Sequence, residues 1–135
     1  MVNLYLLDTN TCIFIINKSP TNVGIKFDST PISQIAISSI TQYELEAGAR
    51  KSARVIENLE KLREFSSIVQ VISFDQTAAQ VAGELKQYLR ERGTPIGQMD
   101  LLIAAHGLNL RAVVVTNNTK EFARVPNLTL EDWLV

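Results

Sequence analysis

Scarcity sets the first limits on this chain of 135 residues. A single cysteine, Cys12, leaves no partner for an internal disulfide and no thiolate set for zinc, and suits a reducing cytosol. A single histidine, His106, excludes an acid–base pair of two imidazoles within one chain. No glycine-rich phosphate loop is present, and no zinc-spaced set of Cys and His. Excess charge of one sign is also missing: 13 Lys and Arg face 14 Asp and Glu, for a net charge of −1. Most standalone nucleic-acid binders are visibly basic, so this balance counts against nucleic acid unless a bound cation inverts the local charge. No apolar run approaches the length of a bilayer span. Asp8 and Asn10 interrupt the first apolar run before a signal-peptide core forms, so a soluble, cytoplasmic protein with no membrane partner is expected.

What remains is an ordinary globular composition, 46% hydrophobic and 20% charged, sized for one domain over residues 1–135. Five short β-branched runs read as strands: Val2 to Leu7, Ile35 to Ser38, Ile68 to Ile72, Ala112 to Val115 and, weakly, Leu128 to Leu130. Several are continuously apolar, the pattern of strands covered on both faces of a parallel sheet. Helical patterns lie between them, at Thr9 to Asn17, Ser39 to Lys51, Ser52 to Phe65, Gln76 to Glu91 and Gln98 to Leu108. Asp75 is the expected N-cap of the fourth of these and Gly93 its terminator. The alternation predicts an α/β fold, a three-layer α/β/α sandwich with a mostly parallel sheet of four to five strands.

Ligands of open parallel sheets bind beyond the carboxyl ends of the strands. Asp8 closes the first strand, where its ordinary role is an N-cap; one carboxylate oxygen can cap while the other coordinates. Glu44 lies three or four residues from Ile40, Ala47 and Gly48, on what reads as an apolar face, whereas Glu46 reads as the solvated residue. Asp100 opens a strongly apolar helix, where an unpaired charge is costly. Thr116 and Asn118 follow the fourth strand as turn residues or neutral oxygen donors. Glu121 is a fourth acid, expected at the surface. His106 falls about 240° around the helix from Asp100 and reads as structural. Cys12 has no histidine to activate it and reads as a small buried residue.

Three carboxylates without thiolate or imidazole make a hard oxygen site, suited to Mg²⁺ or Mn²⁺. Such an ion relieves the mutual repulsion of the acids, activates water and stabilises the leaving oxygen in phosphodiester hydrolysis, leaving a 3′-hydroxyl and a 5′-phosphate.

The segments Leu7-Asp8-Thr9-Asn10, Ile37 to Thr41 leading into Glu44 to Gly48, Arg92 to Gly97 into Asp100 to His106, and Val115 to Asn118 with Glu121-Phe122 closely resemble the PIN-domain ribonucleases. Within them the chain is most similar to VapC-type toxins of bacterial toxin–antitoxin systems, down to its Glu131-Asp-Trp133 ending. The resemblance implies a Mg²⁺- or Mn²⁺-dependent endoribonuclease that is a homodimer and is held in check by a VapB-type antitoxin. It assigns Asp8, Glu44 and Asp100 to the catalytic metal-binding set, with Thr9, Thr116 and Asn118 around them. Where the family often carries a fourth acid this chain has Asn118, so one tightly held ion is expected. RNA is the implied substrate, and the anticodon loop of initiator tRNA is one target the resemblance offers. Two rivals are a receiver-like phosphoacceptor module, with Asp75 and Lys120 as its foothold, and a catalytically silent PIN domain that only binds partners.

Overall fold

The computed structural model describes residues 3–135. Val2, the expected start of the first strand, lies outside them. The chain alternates strand and helix: β1 (Tyr5–Leu7), α1 (Thr9–Asn17), α2 (Thr21–Ser29), β2 (Ile35–Ser38), α3 (Ser39–Lys51), α4 (Val55–Ile68), β3 (Gln70–Ile72). It continues through α5 (Gln76–Glu91), α6 (Gln98–Leu110), β4 (Val113–Val115), α7 (Thr119–Phe122) and β5 (Thr129–Glu131). All strand pairings are parallel, in the order β3-β2-β1-β4-β5.

The period of two along a strand sends neighbouring residues to opposite faces, and this builds the layers. Leu6, Ala36 and Val114 pack with Leu85 and Leu89 of α5 and Ile103 of α6. Leu7, Ile35, Ile37 and Val115 pack on the other side with Cys12, Val23, Leu62 and Phe65 from α1, α2 and α4. The predicted α/β/α sandwich is thus observed.

Local signals account for the element ends. Asp75 accepts a hydrogen bond from Ala78 N at 2.9 Å and caps α5. Gly93, at φ +68°, ends that helix in a Schellman turn, with Thr94 N bonded to Leu89 O and Gly93 N to Arg90 O. Two helices escaped the sequence pattern. The residues of α2 include Asn22 and Gly24, both weak helix formers, and only Val23 is buried, so no apolar stripe marks it. The four residues of α7 are too few to show a period. Boundaries also move: α4 covers Val55–Ile68 and not Ser52–Phe65, which shortens β3 to Gln70–Ile72, α6 runs on to Leu110, and β4 and β5 each start one residue later than expected.

The strand order excludes the receiver-like reading, whose fold follows the order 2-1-3-4-5. Asp75 follows an edge strand, two strands from β1, and is spent on capping.

Gly107 shows how closely α6 is seated. A Cβ there would lie 2.4 Å from Cγ2 of Val114, a stiff β-branched side chain at the centre of the sheet. Gly107→Ala is expected to destabilise the fold by about 2 kcal/mol, the scale of core overpacking. Thermal unfolding checks this, and a melting temperature equal to that of the parent would refute it.

Candidate active site

The strands run outward from β1 to β3 on one side and from β4 to β5 on the other, so the topological switch falls between β1 and β4. Polar side chains follow both of these strands. Asp8 N bonds to Val115 O at 2.9 Å, which ties the two strand ends together. Asp8 is buried, 4% exposed, and its Oδ1 accepts from Thr11 N at 2.9 Å in an N-cap to α1. Burial raises its carboxyl above the usual range, opposed by hydrogen bonds from Thr116 and Thr11. The negative charge of Asp132 beyond β5 adds to the rise. Thr116 is fully buried, and its Oγ1 accepts from Asn118 N at 3.0 Å, fixing the loop after β4.

Asp100 sits half-buried in the first turn of α6. Its Oδ2 and the Oε2 of Glu121 each lie 3.2 Å from Asn118 Nδ2, so one amide bridges two carboxylates. Desolvation first, then the charges of Glu121 and Asp8, push Asp100 up to about 6. Glu121 moves the opposite way, because the backbone N–H of Gly97 and the Asn118 amide stabilise its charge. Below about pH 6 the pair therefore keeps its proton on Asp100 and its charge on Glu121. A Cβ at Gly97 would lie 3.3 Å from Glu121 Oε1, so glycine there gives the carboxylate access to the backbone.

Three sequence readings change here. Glu121, expected at the surface, is half-buried against Asp100, and the short helix α7 that aims it was not foreseen. Glu44 does not join the cluster directly: its Oε1 accepts from Thr9 Oγ1 at 2.5 Å, one residue along from Asp8. Its helical face is not an apolar, buried one, since Ala47 and Gly48 are exposed and α3 buries Thr41 and Leu45 instead. Glu46, read as solvated, binds Arg63, with Arg63 Nη2 at 2.9 Å from its Oε1, and also takes hydrogen bonds from Gln42 and Arg50. The Arg63 guanidinium is the main cause of a carboxyl lowered to about 2, and the contact staples α3 to α4. Thr11 and Asp132 had not been singled out. The Asp8-x-x-Thr11 spacing of a cap was the available sign of the first, and nothing local marked the second.

His106 and Cys12 are buried, as expected of structural residues. Among the described residues no three carboxylates close on one point as they stand. Yet the donors fit a hard divalent cation. They are all oxygens, the charges of Glu121 and Asp8 raise the proton affinity of Asp100, and Asn118 inserts an N–H donor between Asp100 and Glu121, where positive charge is favoured. Acidic side chains at the switch point of a parallel sheet place the candidate site where ligands of open α/β domains bind.

Residues 5–128 match the PIN domain family. The tRNA(fMet)-specific endonuclease VapC of Salmonella typhimurium is 42% identical over 129 residues, covering 96% of this chain and 97% of the relative. Ribonuclease VapC2 of Rickettsia felis is 43% identical over 131 residues, covering 96% and 98%. The crystal structure of DNA-bound VapBC from Salmonella typhimurium superposes with a TM-score of 0.92 at 41% identity, covering 98% of this chain and 99% of that one. The chain belongs to the PIN-domain family and, within it, to the VapC ribonucleases.

Proposed function

We propose that Asp8, Asp100 and Glu121, with Glu44 at the margin, hold a Mg²⁺ or Mn²⁺ ion, and that the chain cuts a tRNA anticodon loop as the toxin of a type II pair. The observation that carries this reading is Asp100 beside the β1–β4 switch, bridged through Asn118 to Glu121 and raised by the charges of Glu121 and Asp8. When bound, the ion supplies charge neutralisation at phosphate and activation of water. The chain's own residues set the stage for it. Asp8 is held in place by Thr11 and Thr116, Asn118 spaces Asp100 from Glu121, and Gly97 N–H orients Glu121. At neutral pH Asp100 sheds the proton it holds at about 6 and presents a full charge.

The tRNA target rests on the relatives named tRNA(fMet)-specific endonucleases, and a cytoplasmic location follows from that substrate. No helix among the described residues is long and apolar enough to cross a membrane. An antitoxin of the VapB type is the proposed partner of a homodimeric toxin. A groove of about 730 Å³, lined by apolar residues such as Ile16, Phe27 and Phe65 and by the charged Lys18, Asp28, Lys61 and Glu64, suits an amphipathic segment of that partner.

Incubation of initiator and elongator tRNA with the protein and Mn²⁺ tests the proposal. Cleavage confined to the anticodon loop of initiator tRNA, with 5′-phosphate and 3′-hydroxyl ends, is expected. Cyclic 2′,3′-phosphate ends would exclude the hydrolytic route, and equal cutting of both tRNAs would exclude the target.

A further inference from the structure

One buried polar contact lies away from the acids, yet joins the helices that carry two of them. Ser38 ends β2 and is the N-cap of α3, where its Oγ accepts from Ile40 N at 3.0 Å. The same Oγ lies 2.9 Å from Nδ1 of His106 on α6. Ser38 is 0% and His106 1% exposed, so water does not substitute for either partner. Ser38 Oγ thus takes the Ile40 N–H and shares one hydrogen bond with His106 Nδ1, whose direction the imidazole tautomer sets. Burial holds the His106 pKa below the ordinary histidine value, against the opposing pull of Asp75, and so favours the neutral ring. Phe74 sets the ring from the side, edge-on at 5.3 Å between centroids, and its own N–H donates to Ser39 Oγ at 2.9 Å. The contact is a polar rung between the start of α3 and α6, beside the apolar packing of Ile40 on the core that α6 helps to build.

Glu44 lies six residues along α3 from Ser38, and Asp100 lies six residues along α6 from His106. At 1.5 Å per residue each acid is about 9 Å from the rung. We propose that His106 is a positioning residue, whose hydrogen bond to the α3 cap sets the separation of the helices bearing Asp100 and Glu44. The inference rests on the reading that Asp100 holds the ion, with Glu44 at its margin through Thr9. An acidic pair set wrong by about 1 Å loses on the order of 100-fold in turnover, so a slack rung is felt at the reaction before it is felt in binding.

His106→Leu keeps an apolar filler and removes the nitrogen that bonds to Ser38 Oγ. His106→Asn is smaller, yet its Oδ1 can accept near the place of Nδ1. With cleavage normalised to folded protein, the Leu variant is expected to lose about 10-fold or more in kcat with KM within about twofold of the parent. The Asn variant is expected to recover most of that loss, although its cavity makes it the less stable of the two. If the Leu variant does not fold, Ser38→Ala breaks the rung from the other end and is read on the same scale. Parental kcat in the folded Leu variant or in Ser38→Ala would overturn the proposal. So would an Asn variant as slow as Leu, or a loss confined to KM. Asp100→Asn run in parallel separates the two claims: if it retains activity the catalytic reading fails, whatever His106 does.

Discussion

Asp100→Asn abolishes RNA cleavage and raises the melting temperature of the metal-free protein at pH 7.5: this paired outcome is expected from one carboxyl held out of its preferred state. The activity loss is on the order of 10³-fold, since the variant gives up a full charge at the phosphate, worth several kcal/mol in such sites. The stability gain follows from linkage. Asp100 has a folded pKa of about 6 against an ordinary value of 3.8, so the folded protein binds this proton more tightly than the unfolded chain. Stability from this group is therefore greatest at low pH and falls as pH climbs from about 4 through about 6. Above that range the parent carries the repulsion and desolvation of an ionised Asp100, and the amide does not. Asp100 is half-exposed, so solvent screening reduces the gain to a few degrees. The gap between variant and parent should close as pH is lowered from 7.5 to 5. Glu121, with its depressed carboxyl, responds in the opposite sense and only at more acidic pH, so the window belongs to Asp100. Thermal unfolding across pH, without divalent ions, checks this. A variant that still cleaves, or a gap that is negative and independent of pH, would refute it.

The fold was legible wherever burial left a period in the chain. Strands covered on both faces appear as apolar runs, and α5 carries both its cap and its terminating glycine, so the sandwich could be read from residues alone. The site was legible in part, and the reason is geometric. Asp8 and Asp100 stand where an element begins, next to conspicuous apolar segments, and position along the chain is enough to single them out. Glu121 sits on a helix of four residues, and its inward aim depends on Gly97 and Asn118, which reach it through space. Glu44 and Glu46 show the converse error. Helical periodicity ranked them correctly as different, but assigned the buried face to the wrong residues, because α3 lies against α4 through Glu46 and Arg63. Periodicity tells which residues share a face and leaves open what the face meets.

That correction bears on the ion. If Glu121 belongs to the set, divalent cation should stabilise the protein through it more than through Glu44. A ligand that binds only the folded state adds RT ln(1 + [L]/Kd), about 2.7 kcal/mol at 100-fold excess over Kd. For a chain of this length that corresponds to a rise of roughly 10 °C in melting temperature on adding Mn²⁺. Asp8→Asn should erase most of this rise, and a chelator should abolish cleavage in the parent, with activity returning when Mn²⁺ is restored. Glu121→Gln should lose a larger share of the rise than Glu44→Gln. The Asp100–Asn118–Glu121 bridge lies at the cluster, whereas Glu44 is tied to it only through Thr9. Asn118→Asp should shift the balance further: a fourth charge beside Asp100 and Glu121 lowers metal-free stability and strengthens ion binding. Both changes come from the same repulsion, which is costly without the cation and is offset by it. Equal rises in the parent and Asp8→Asn would place the ion elsewhere. A larger loss for Glu44→Gln than for Glu121→Gln would return Glu44 to the centre of the site, and cleavage that survives chelation would remove the ion from the reaction altogether.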